Sequence, residues 1–445
     1  MDTAPRFAGL DIGTSRIKAV VIDVTGRPLS TAATPTPWTS AGTEIDAGSL
    51  LVAALACLGD ALDRVPGAPP VALGIASIAE TGFLCDPTGI ELTRGIAWHD
   101  PRGRGAVTRL ASDVGERSFA ETTGLPLSAT ASIAKMDWLL AQGSFPRGTT
   151  WLGVAEWLAV ALGAQPRAEL SLASRTGLLD IASRAPSSDL TAWLGRPEIL
   201  PPLVVAGEPV GVVTARFERL AGSVLVLAGH DHLCAAVGAG AQAQTDLLNS
   251  CGTGEAFIAS TGEPMSRERI GDAVERGLNV GWHVLAGRRS VIGSLATGVA
   301  LTRVLELIGA PHGFASLEGP RARRDPDSSR VRIDGLFDET LQVRVTGAGV
   351  TPDEVWAAAV AEAHDHSMLA YDRIRDWMGG FERVVGTGGW LRSREVLGRK
   401  VRDLAGFSVA PAQECAALGA ALLAGVGAGF WPDAESVPRL GAAVG

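Results

Sequence analysis

The stretch that decides the fold is Asp11-Ile12-Gly13-Thr14-Ser15-Arg16-Ile17-Lys18, near the start of the chain. Apolar, β-branched runs at residues 7–12 and 18–24 flank its central Gly-Thr-Ser and predict two strands joined by a tight turn. A second turn at residues 25–28 leads into a third predicted strand that begins at Leu29. The sequence therefore predicts an antiparallel meander at the start of a domain. Helical spacing of apolar residues predicts a helix from Asp46 to Val65, with Asp46 as its cap, and a long helix from Asp353 to Met378.

The turn of this stretch has the chemistry of a phosphate loop. Glycine at position 13 allows a tight turn, in which backbone N–H groups and the hydroxyls of Thr14 and Ser15 can face phosphate oxygens. Lys18 would add a positive charge, and Asp11 at the end of the strand could hold Mg²⁺ through water. The alternative is a plain β-hairpin in which glycine and threonine serve only the turn.

The same pattern returns about half a chain later. Residues 246–254 end in Gly252-Thr253-Gly254 and lead into an apolar run at residues 255–260, again a strand, a Gly-Thr turn and a strand. A repeated opening indicates a duplicated fold with one hairpin at the start of each domain. We therefore predict domains 1–244 and 245–445 that share a hinge, with a charged, proline-containing loop at Arg321 to Ser329.

Composition limits the function classes. The 445 residues suit two domains, and 46% apolar with 20% charged residues is typical of a globular protein. A formal charge of −9 argues against a general nucleic-acid binder or a protein of anionic membrane surfaces. We expect neither nucleic acid nor membrane as a partner.

The cysteines and the N-terminus predict a cytoplasmic location. The five cysteines are dispersed without a Cys-x-x-Cys spacing, which is typical of reduced, buried thiols. Residues 1–5 show no basic region followed by an apolar stretch, so no signal peptide is expected. The apolar run from Cys415 to Trp431 is rich in alanine and glycine and predicts a tightly packed buried helix.

A candidate catalytic carboxylate follows a buried strand. The segment Leu225 to His232 is apolar up to Gly229 and then places Asp231 ahead of a helix predicted at Leu233 to Gly238. The common role of such an aspartate is to cap the helix. Its alternative role as a catalytic base depends on the residues around it.

Three further segments could contact a ligand. The glycine turn Gly386-Thr387-Gly388-Gly389 after a strand would bring backbone close to adenine and ribose. Residues 77–86, and then Trp98, Asp100 and Arg102, could hold a polyhydroxylated ligand, although Asp100 and Arg102 could equally form a surface pair. The histidines show no metal-site spacing beyond the His230–His232 pair, so no transition metal is expected.

Eight segments in order resemble the motifs of the FGGY carbohydrate kinase family, over nearly the whole chain. They are Asp11-x-Gly13-Thr14-Ser15-x-x-Lys18, Trp98-x-Asp100-x-Arg102, Lys135-x-x-Trp138-Leu139, Ala173 to Asp180, Gly229-His230-Asp231, Gly252-Thr253, Gly386 to Gly389 and Glu414 to Ala421. The resemblance implies an α/β fold of two actin-like (ribonuclease H-like) αβα domains with a ligand cleft between them. It also allows a homodimer.

The resemblance assigns roles to the candidate residues. It implies that Asp231 is the catalytic base of an ATP-dependent kinase, and that Mg²⁺ lies near Asp11 and Asp231, partly through water. The residues implied to bind ATP are Gly13, Thr14, Ser15, Lys18, Gly252, Thr253, Gly388 and Gly389. The residues implied to position the acceptor are Glu80, Trp98, Asp100, Arg102 and His232.

The acceptor segment departs from both main subfamilies. Xylulokinases typically have Met-His, and glycerol kinases Arg-Glu, where this chain has Ala79-Glu80; autoinducer-2 kinases also have a glutamate there. The expected acceptor is a small neutral ketose or polyol, with a pentulose such as xylulose ahead of glycerol or an autoinducer-2-like compound. The segment between Gly389 and Gly398 is shorter than in glycerol kinases and xylulokinases. The alternatives are an actin-like ATPase, which would not need Trp98, Asp100 and Arg102, and a sugar-binding sensor without kinase activity.

Overall fold

The computed structural model describes residues 4–39, 41–310, 313–318 and 330–440. These residues form two compact units. Unit 1 lies within Met1–Gln242, Ser260–Val291 and Glu414–Gly441, and unit 2 lies within Ala243–Ala259 and Ile292–Gln413. The loop predicted at residues 321–329 falls outside the described residues.

Two segments of the second half of the chain thus belong to unit 1. The sequence pattern predicts a single boundary near residue 244, and that division into 1–244 and 245–445 stays a prediction. By contacts, residues within 260–291 and 414–441 group with unit 1, in which an apolar helix from the end of the chain packs on strands from its beginning.

The described residues contain strands and helices in alternation. The strands are β1 (Phe7–Ile12), β2 (Arg16–Ile22), β3 (Pro28–Pro35), β4 (Glu44–Ile45), β5 (Ala72–Ser77), β6 (Gly82–Cys85), β7 (Gly95–Ile96), β8 (Thr150–Gly153), β9 (Ala168–Glu169), β10 (Leu179–Asp180), β11 (Ala185–Pro186), β12 (Leu203–Val204), β13 (Pro209–Val212), β14 (Val224–His230), β15 (Asp246–Cys251), β16 (Glu255–Thr261), β17 (Leu278–Trp282), β18 (Arg289–Leu295), β19 (Val331–Asp334), β20 (Gln342–Val345), β21 (Arg383–Thr387) and β22 (Phe407–Val409).

The helices are α1 (Ala47–Asp63), α2 (Arg104–Asp113), α3 (Glu116–Thr123), α4 (Ser132–Leu140), α5 (Val154–Leu162), α6 (Leu170–Ala173), α7 (Ser188–Trp193), α8 (Asp231–Gly238), α9 (Arg267–Glu275), α10 (Thr297–Leu307), α11 (Pro352–Met378), α12 (Arg394–Asp403) and α13 (Cys415–Gly427). Short 3₁₀ helices lie at Phe314–Ser316 and Gly389–Arg392. In the part of the chain that the structure describes, no helix is long and apolar enough to cross a bilayer.

The main sheet of unit 1 has the order β13-β14-β5-β1-β2-β3. Strands β1, β2 and β3 form the predicted antiparallel meander, with Asp11 opposite Lys18, and β5 and β14 run parallel to β1. Because parallel strands end at the same edge of a sheet, Asp11 and His230 lie near the ends of their strands on that edge. The sheet therefore contains both antiparallel and parallel strand pairs.

The two faces of this sheet are covered by helices. One face packs alternate strand residues, such as Leu10 and Ile75, against α1 and α5. The opposite face packs against α13, which also contacts α8. Helix α1 begins at the predicted cap Asp46, whose carboxylate accepts a hydrogen bond from Ser49 N at 2.8 Å. Unit 1 is a three-layer αβα domain.

Helix α13 lies unusually close to its neighbours, as its alanine- and glycine-rich sequence predicts. A Cβ at Gly9 would lie 2.0 Å from the carbonyl oxygen of Ala417, and one at Gly419 would lie 1.9 Å from that of Cys234. Only glycine permits such backbone contact. All five cysteines, Cys415 of α13 among them, are buried as thiols.

Unit 2 repeats the strand pattern of unit 1. Strands β15 and β16 form the second antiparallel hairpin, with Cys251 opposite Glu255, and β21 runs parallel to β15 and to β22. The core of unit 2 is formed with α10, α11 and α12. The predicted recurrence of a strand, a Gly-Thr turn and a strand is confirmed.

Candidate active site

The Gly13–Ser15 turn of unit 1 has a fixed backbone. Thr36 donates its hydroxyl to the carbonyl oxygen of Gly13 at 2.7 Å, and its backbone N–H to that of Ser15 at 3.2 Å. The indole N–H of Trp38 donates to the carbonyl oxygen of Thr14 at 2.6 Å. Each carbonyl of the turn is therefore held by the segment that follows β3.

Trp98 holds the side chain of the same turn. Its Nε1 donates to the hydroxyl oxygen of Thr14 at 2.9 Å, and its backbone N–H donates to Thr81 Oγ1 at 2.9 Å. Because the Thr14 oxygen accepts from the indole, its own hydrogen is available to donate to a phosphate oxygen. The structure thus places Trp98, a predicted acceptor residue, against the predicted phosphate turn.

Lys18 lies between two carboxylates. Its Nζ is 2.9 Å from Glu414 Oε2 and 4.0 Å from Asp11 Oδ2. Burial alone would lower the pKa of Lys18, but both carboxylates raise it above the usual value. In the sequence, Glu414 is only the first residue of a motif, and no local spacing indicates that it reaches Lys18.

Asp231 is the first residue of α8, whereas the residue at the cap position is His230. The Asp231 carboxylate accepts a hydrogen bond from the backbone N–H of its neighbour His232 at 2.7 Å. The helix therefore begins two residues earlier than predicted, and Asp231 does not take the cap position. Its side chain remains 18% exposed, so a ligand can reach it.

The two aspartates influence each other's protonation. Burial, and next the charge of Asp231, raise the pKa of Asp11 to about 7. Burial also raises the pKa of Asp231 to about 7, helped by the charge of Glu80 and opposed by the His232 N–H and by Lys18. A carboxylate with a pKa near neutrality is a suitable general base.

The aspartates fit the predicted Mg²⁺ ion. Asp11 is 3% exposed, and its Oδ1 has no hydrogen-bond partner among the described residues. Two adjacent carboxylates whose negative charges destabilise each other would both gain from a hard divalent cation.

Two histidines flank the catalytic candidate. The ligand atoms of His230, Asp231 and His232 lie within 4.8 Å of one another, close enough to hold an ion, which the sequence spacing did not indicate. Burial lowers the pKa of both histidines, so the imidazoles are neutral at pH 7. That no transition metal is bound here stays a prediction.

Glu80 forms an ion pair that the sequence pattern did not reveal. Its Oε1 accepts from Arg175 Nε at 2.7 Å, and the two side chains are 9% and 17% exposed. The backbone of Glu80 has a φ of 59°, in the left-handed region that non-glycine residues rarely adopt. The available signal was the motif Ala173 to Asp180, which contains Arg175.

Asp100 and Arg102 are bound to each other. The guanidinium donates Nε at 2.9 Å and Nη2 at 2.7 Å to the two carboxylate oxygens, and the Arg102 backbone N–H donates to the same carboxylate. Arg102 also pairs with Glu44 at 2.6 Å and lies 5.0 Å over the ring of Trp138. Asp100 is 4% exposed, so this pair is buried at the carboxylate end and is not a surface pair.

A buried carboxylate supports the strand that leads to Asp231. The backbone N–H of His230 donates to Ser171 Oγ at 3.0 Å, and Glu169 Oε2 accepts from Ser171 N at 2.9 Å. Gly229 has a φ of 104°, and a Cβ there would lie 2.5 Å from Ser171 Oγ. This contact fixes the backbone directly before the catalytic candidate.

The four predicted ATP residues of unit 2 are brought together. Gly252 N donates to Gly254 O at 3.0 Å within the hairpin turn. A Cβ at Gly388, whose φ is 108°, would lie 2.3 Å from the carbonyl oxygen of Cys251. The turn at Gly388 and Gly389 thus lies directly against the end of β15, next to Gly252 and Thr253.

Comparison with known proteins agrees with this architecture. Residues 7–238 match the model of the FGGY family of carbohydrate kinases, N-terminal domain. A glycerol kinase of Rhizorhabdus wittichii is 28% identical and aligns over 97% of this chain and 90% of its own length.

Two solved structures share the fold. A xyloylose kinase from Brucella ovis superposes with a TM-score of 0.84 at 20% identity, over 98% of this chain and 92% of that one. A gluconate kinase from Lactobacillus acidophilus gives 0.82 at 17% identity, with the same coverage of 98% and 92%. Since these proteins carry names with different acceptors, the fold does not identify the acceptor. The chain belongs to the FGGY family of carbohydrate kinases, and it is an ATP-dependent sugar or polyol kinase.

Proposed function

We propose that this kinase transfers the γ-phosphoryl group of ATP to a terminal hydroxyl of a small neutral ketose or polyol, with Asp231 as the general base. The observation that carries the proposal is the position of Asp231. Its carboxylate lies directly after β14, on the first residue of α8, is partly exposed, and interacts electrostatically with both Lys18 and Glu80. A base at this position could deprotonate a hydroxyl held by the predicted acceptor residues while the predicted phosphate turn binds ATP.

The phosphates of ATP are assigned to two glycine turns. In unit 1, the Gly13–Ser15 turn offers hydrogen-bond donors on a fixed backbone, and Lys18 supplies positive charge. In unit 2, we assign Gly252, Thr253, Gly388 and Gly389 to the nucleotide as well. Phosphoryl transfer depends on alignment and charge neutralisation, which a rigid turn provides.

Mg²⁺ is assigned to Asp11 and Asp231, partly through water. When bound, it would neutralise phosphate charge during transfer. The other steps are assigned to side chains. Asp231 accepts the proton of the attacking hydroxyl, and Lys18 binds phosphate oxygens.

The acceptor is assigned to the Glu80 side of Asp231. Glu80 can accept hydrogen bonds from hydroxyls, and Arg175 beside it can donate to an acceptor oxygen. Asp11, Glu80 and Asp231 together would repel an acidic sugar. A pentulose remains the first choice, and the 28% identical relative named glycerol kinase makes glycerol the second.

The test is ADP formation with xylulose, ribulose, glycerol and gluconate, in wild type and in Asp231→Asn. We expect turnover with a neutral acceptor and a loss of kcat of at least ~10²-fold in the variant, with ATP binding retained. Asp46→Asn is the matched control, because Asp46 caps α1 without any assigned chemistry. Near-wild-type turnover in Asp231→Asn would refute the role of Asp231 as the base.

The same assay separates the alternatives. Hydrolysis of ATP that no acceptor stimulates would indicate an ATPase, and acceptor binding without ATP consumption would indicate a sensor. Gluconate as the best acceptor would refute the neutral-acceptor proposal but would leave the kinase assignment intact.

A further inference from the structure

A buried ion pair lies directly behind the second Gly-Thr hairpin. Glu255 follows Gly252-Thr253-Gly254 as the first residue of β16, and its carboxylate contacts Nζ of Lys400 on α12. Both residues are only 3% exposed. The proposed function does not use either of them.

Three more side chains converge on the same carboxylate. Glu255 Oε1 accepts from Asn249 Nδ2 at 2.9 Å and from Ser367 Oγ at 2.7 Å, while Oε2 accepts from Thr297 Oγ1 at 3.1 Å. Burial raises the pKa of Glu255, but Lys400 and these hydrogen bonds hold it below its usual value. The carboxylate is therefore ionised, and it joins β15, α10, α11 and α12 at one point.

Stability alone does not account for this arrangement. Removing two charges from water costs several kcal/mol, and well-packed apolar replacements of a buried ion pair are often neutral or stabilising. Buried polar groups of this kind are best justified where they fix one particular geometry.

The geometry that the network fixes is the start of α10 against the hairpin. Thr297, which binds Glu255, is the first residue of α10. A Cβ at the next residue, Gly298, would lie 2.3 Å from the carbonyl oxygen of Gly252 and 2.5 Å from that of Thr253. Val299 N donates to Thr253 O at 3.0 Å. The position of Glu255 thus sets the position of α10, and α10 sets the backbone of the hairpin.

We propose that Glu255 and Lys400 are positioning residues for ATP, which hold the Gly252–Gly254 hairpin in its phosphate-binding conformation through Thr297 and α10. This inference rests on the proposed assignment of that hairpin to the nucleotide. It predicts that loss of the hydrogen bond between Glu255 and Thr297 weakens ATP binding, whereas loss of the two charges alone does not.

Two double variants test the inference. Glu255→Leu with Lys400→Met removes both charges and the link to Thr297, whereas Glu255→Gln with Lys400→Met removes the charges but leaves an amide that can accept from Thr297. We expect the leucine variant to melt lower than wild type, because Asn249, Ser367 and Thr297 lose their buried acceptor, and the glutamine variant to melt closer to wild type. The leucine variant should bind ATP at least ~10-fold more weakly, a change of about 1.4 kcal/mol, and show a matching rise in KM for ATP with little change in kcat. The glutamine variant should stay within about threefold of wild type, or about 0.7 kcal/mol.

The matched control is a second ion pair of unit 2. Asp246 and Arg383 begin β15 and β21 and pair at 2.7 Å, at the opposite strand ends from the hairpin and the Gly388 turn. At ~3.3 Å per residue they lie about 17 Å from the hairpin. Asp246→Asn with Arg383→Met should lower the melting temperature without changing the affinity for ATP.

The measurements are calorimetric ATP binding and thermal unfolding on the full chain. Wild-type affinity in the leucine variant, or equal weakening in both double variants, would overturn the inference. Weakening in the Asp246–Arg383 control would overturn it as well, since affinity would then follow general stability. A wild-type protein that binds no ATP would instead overturn the proposed function of the hairpin, so the two failures can be told apart.

Discussion

Arg175 forms an ion pair with a single oxygen of Glu80, to which its Nε donates a hydrogen bond at 2.7 Å while its Nη2 lies 2.6 Å away. The left-handed backbone of Glu80 costs on the order of 1–3 kcal/mol, which the surrounding structure must offset. The ion pair and the backbone conformation together hold this carboxylate in one place, on the side of Asp231 to which we assign the acceptor.

Glu80→Gln keeps the shape of this side chain and removes its charge. We expect KM for the neutral acceptor to rise about tenfold, because neutral hydrogen bonds are weaker and Arg175 loses its counter-charge. KM for ATP should change less than about twofold, and a sugar acid should gain activity relative to the neutral acceptor. Glu121→Gln is the control, since Glu121 pairs with Arg117 in the same unit at 2.7 Å. Unchanged acceptor kinetics would show that the acceptor binds elsewhere.

The activity should depend on pH through Asp231. A general base must be deprotonated, and burial raises the pKa of Asp231 to about 7. We expect kcat/KM for the acceptor to rise with pH and then level off, with a midpoint at or below about 7, because bound Mg²⁺ would lower the pKa of Asp231. In Glu80→Gln the midpoint should move to lower pH, because the charge of Glu80 raises the pKa of Asp231. A value of kcat/KM that falls as pH rises toward neutrality, or a midpoint that does not move in Glu80→Gln, would contradict the assignment of the base.

The same carboxylate should reduce stability above its ordinary pKa. Because the pKa of Asp231 is raised on folding, the folded state binds more protons than the unfolded state between the two pKa values, and stability falls as pH rises through about 7. Asp231→Asn removes this effect and should melt higher than wild type at pH 8 without added metal. The difference should close toward about pH 4, where an aspartate in the unfolded chain is also protonated. A variant that melts lower than wild type at pH 8 would contradict the predicted cost of the charge.

Alanine substitutions at two helical glycines should have opposite effects on stability, because Gly419 of α13 is closely packed and Gly398 of α12 is not. Gly419→Ala places a Cβ 1.9 Å from the carbonyl oxygen of Cys234, so it should cost at least ~2 kcal/mol of unfolding free energy. Gly398→Ala in α12 meets nothing within 4 Å and should be neutral or stabilise by up to about 1 kcal/mol. Chemical denaturation of both variants measures the difference. Equal changes in unfolding free energy would mean that α13 and α8 can move apart without cost to make room for the added methyl group.

Local pattern determined the elements of this protein. The alternation of apolar residues and the Gly-Thr turns predicted both hairpins, and helical spacing predicted α1 and α11 with the cap at Asp46. These features could be predicted from the sequence because strand and helix periodicity, turn chemistry and capping each depend on residues that are close together in the chain. The strand-end position of Asp231 was readable for the same reason, although the start of its helix was predicted two residues late.

Tertiary structure alone decided which charges meet. Glu80 and Arg175 are 95 residues apart, and Glu255 and Lys400 are 145 apart, so no local spacing could indicate either pair. The sequence also could not predict that α13 packs in unit 1. A helix that is apolar on every side has no polar face to show which sheet it covers. The sequence by itself determined where strands end and turns expose backbone, whereas the pairing of distant strands determined which carboxylates become buried. Burial and neighbouring charge, which exist only in the folded chain, then raised the pKa of Asp11 and Asp231 to about 7.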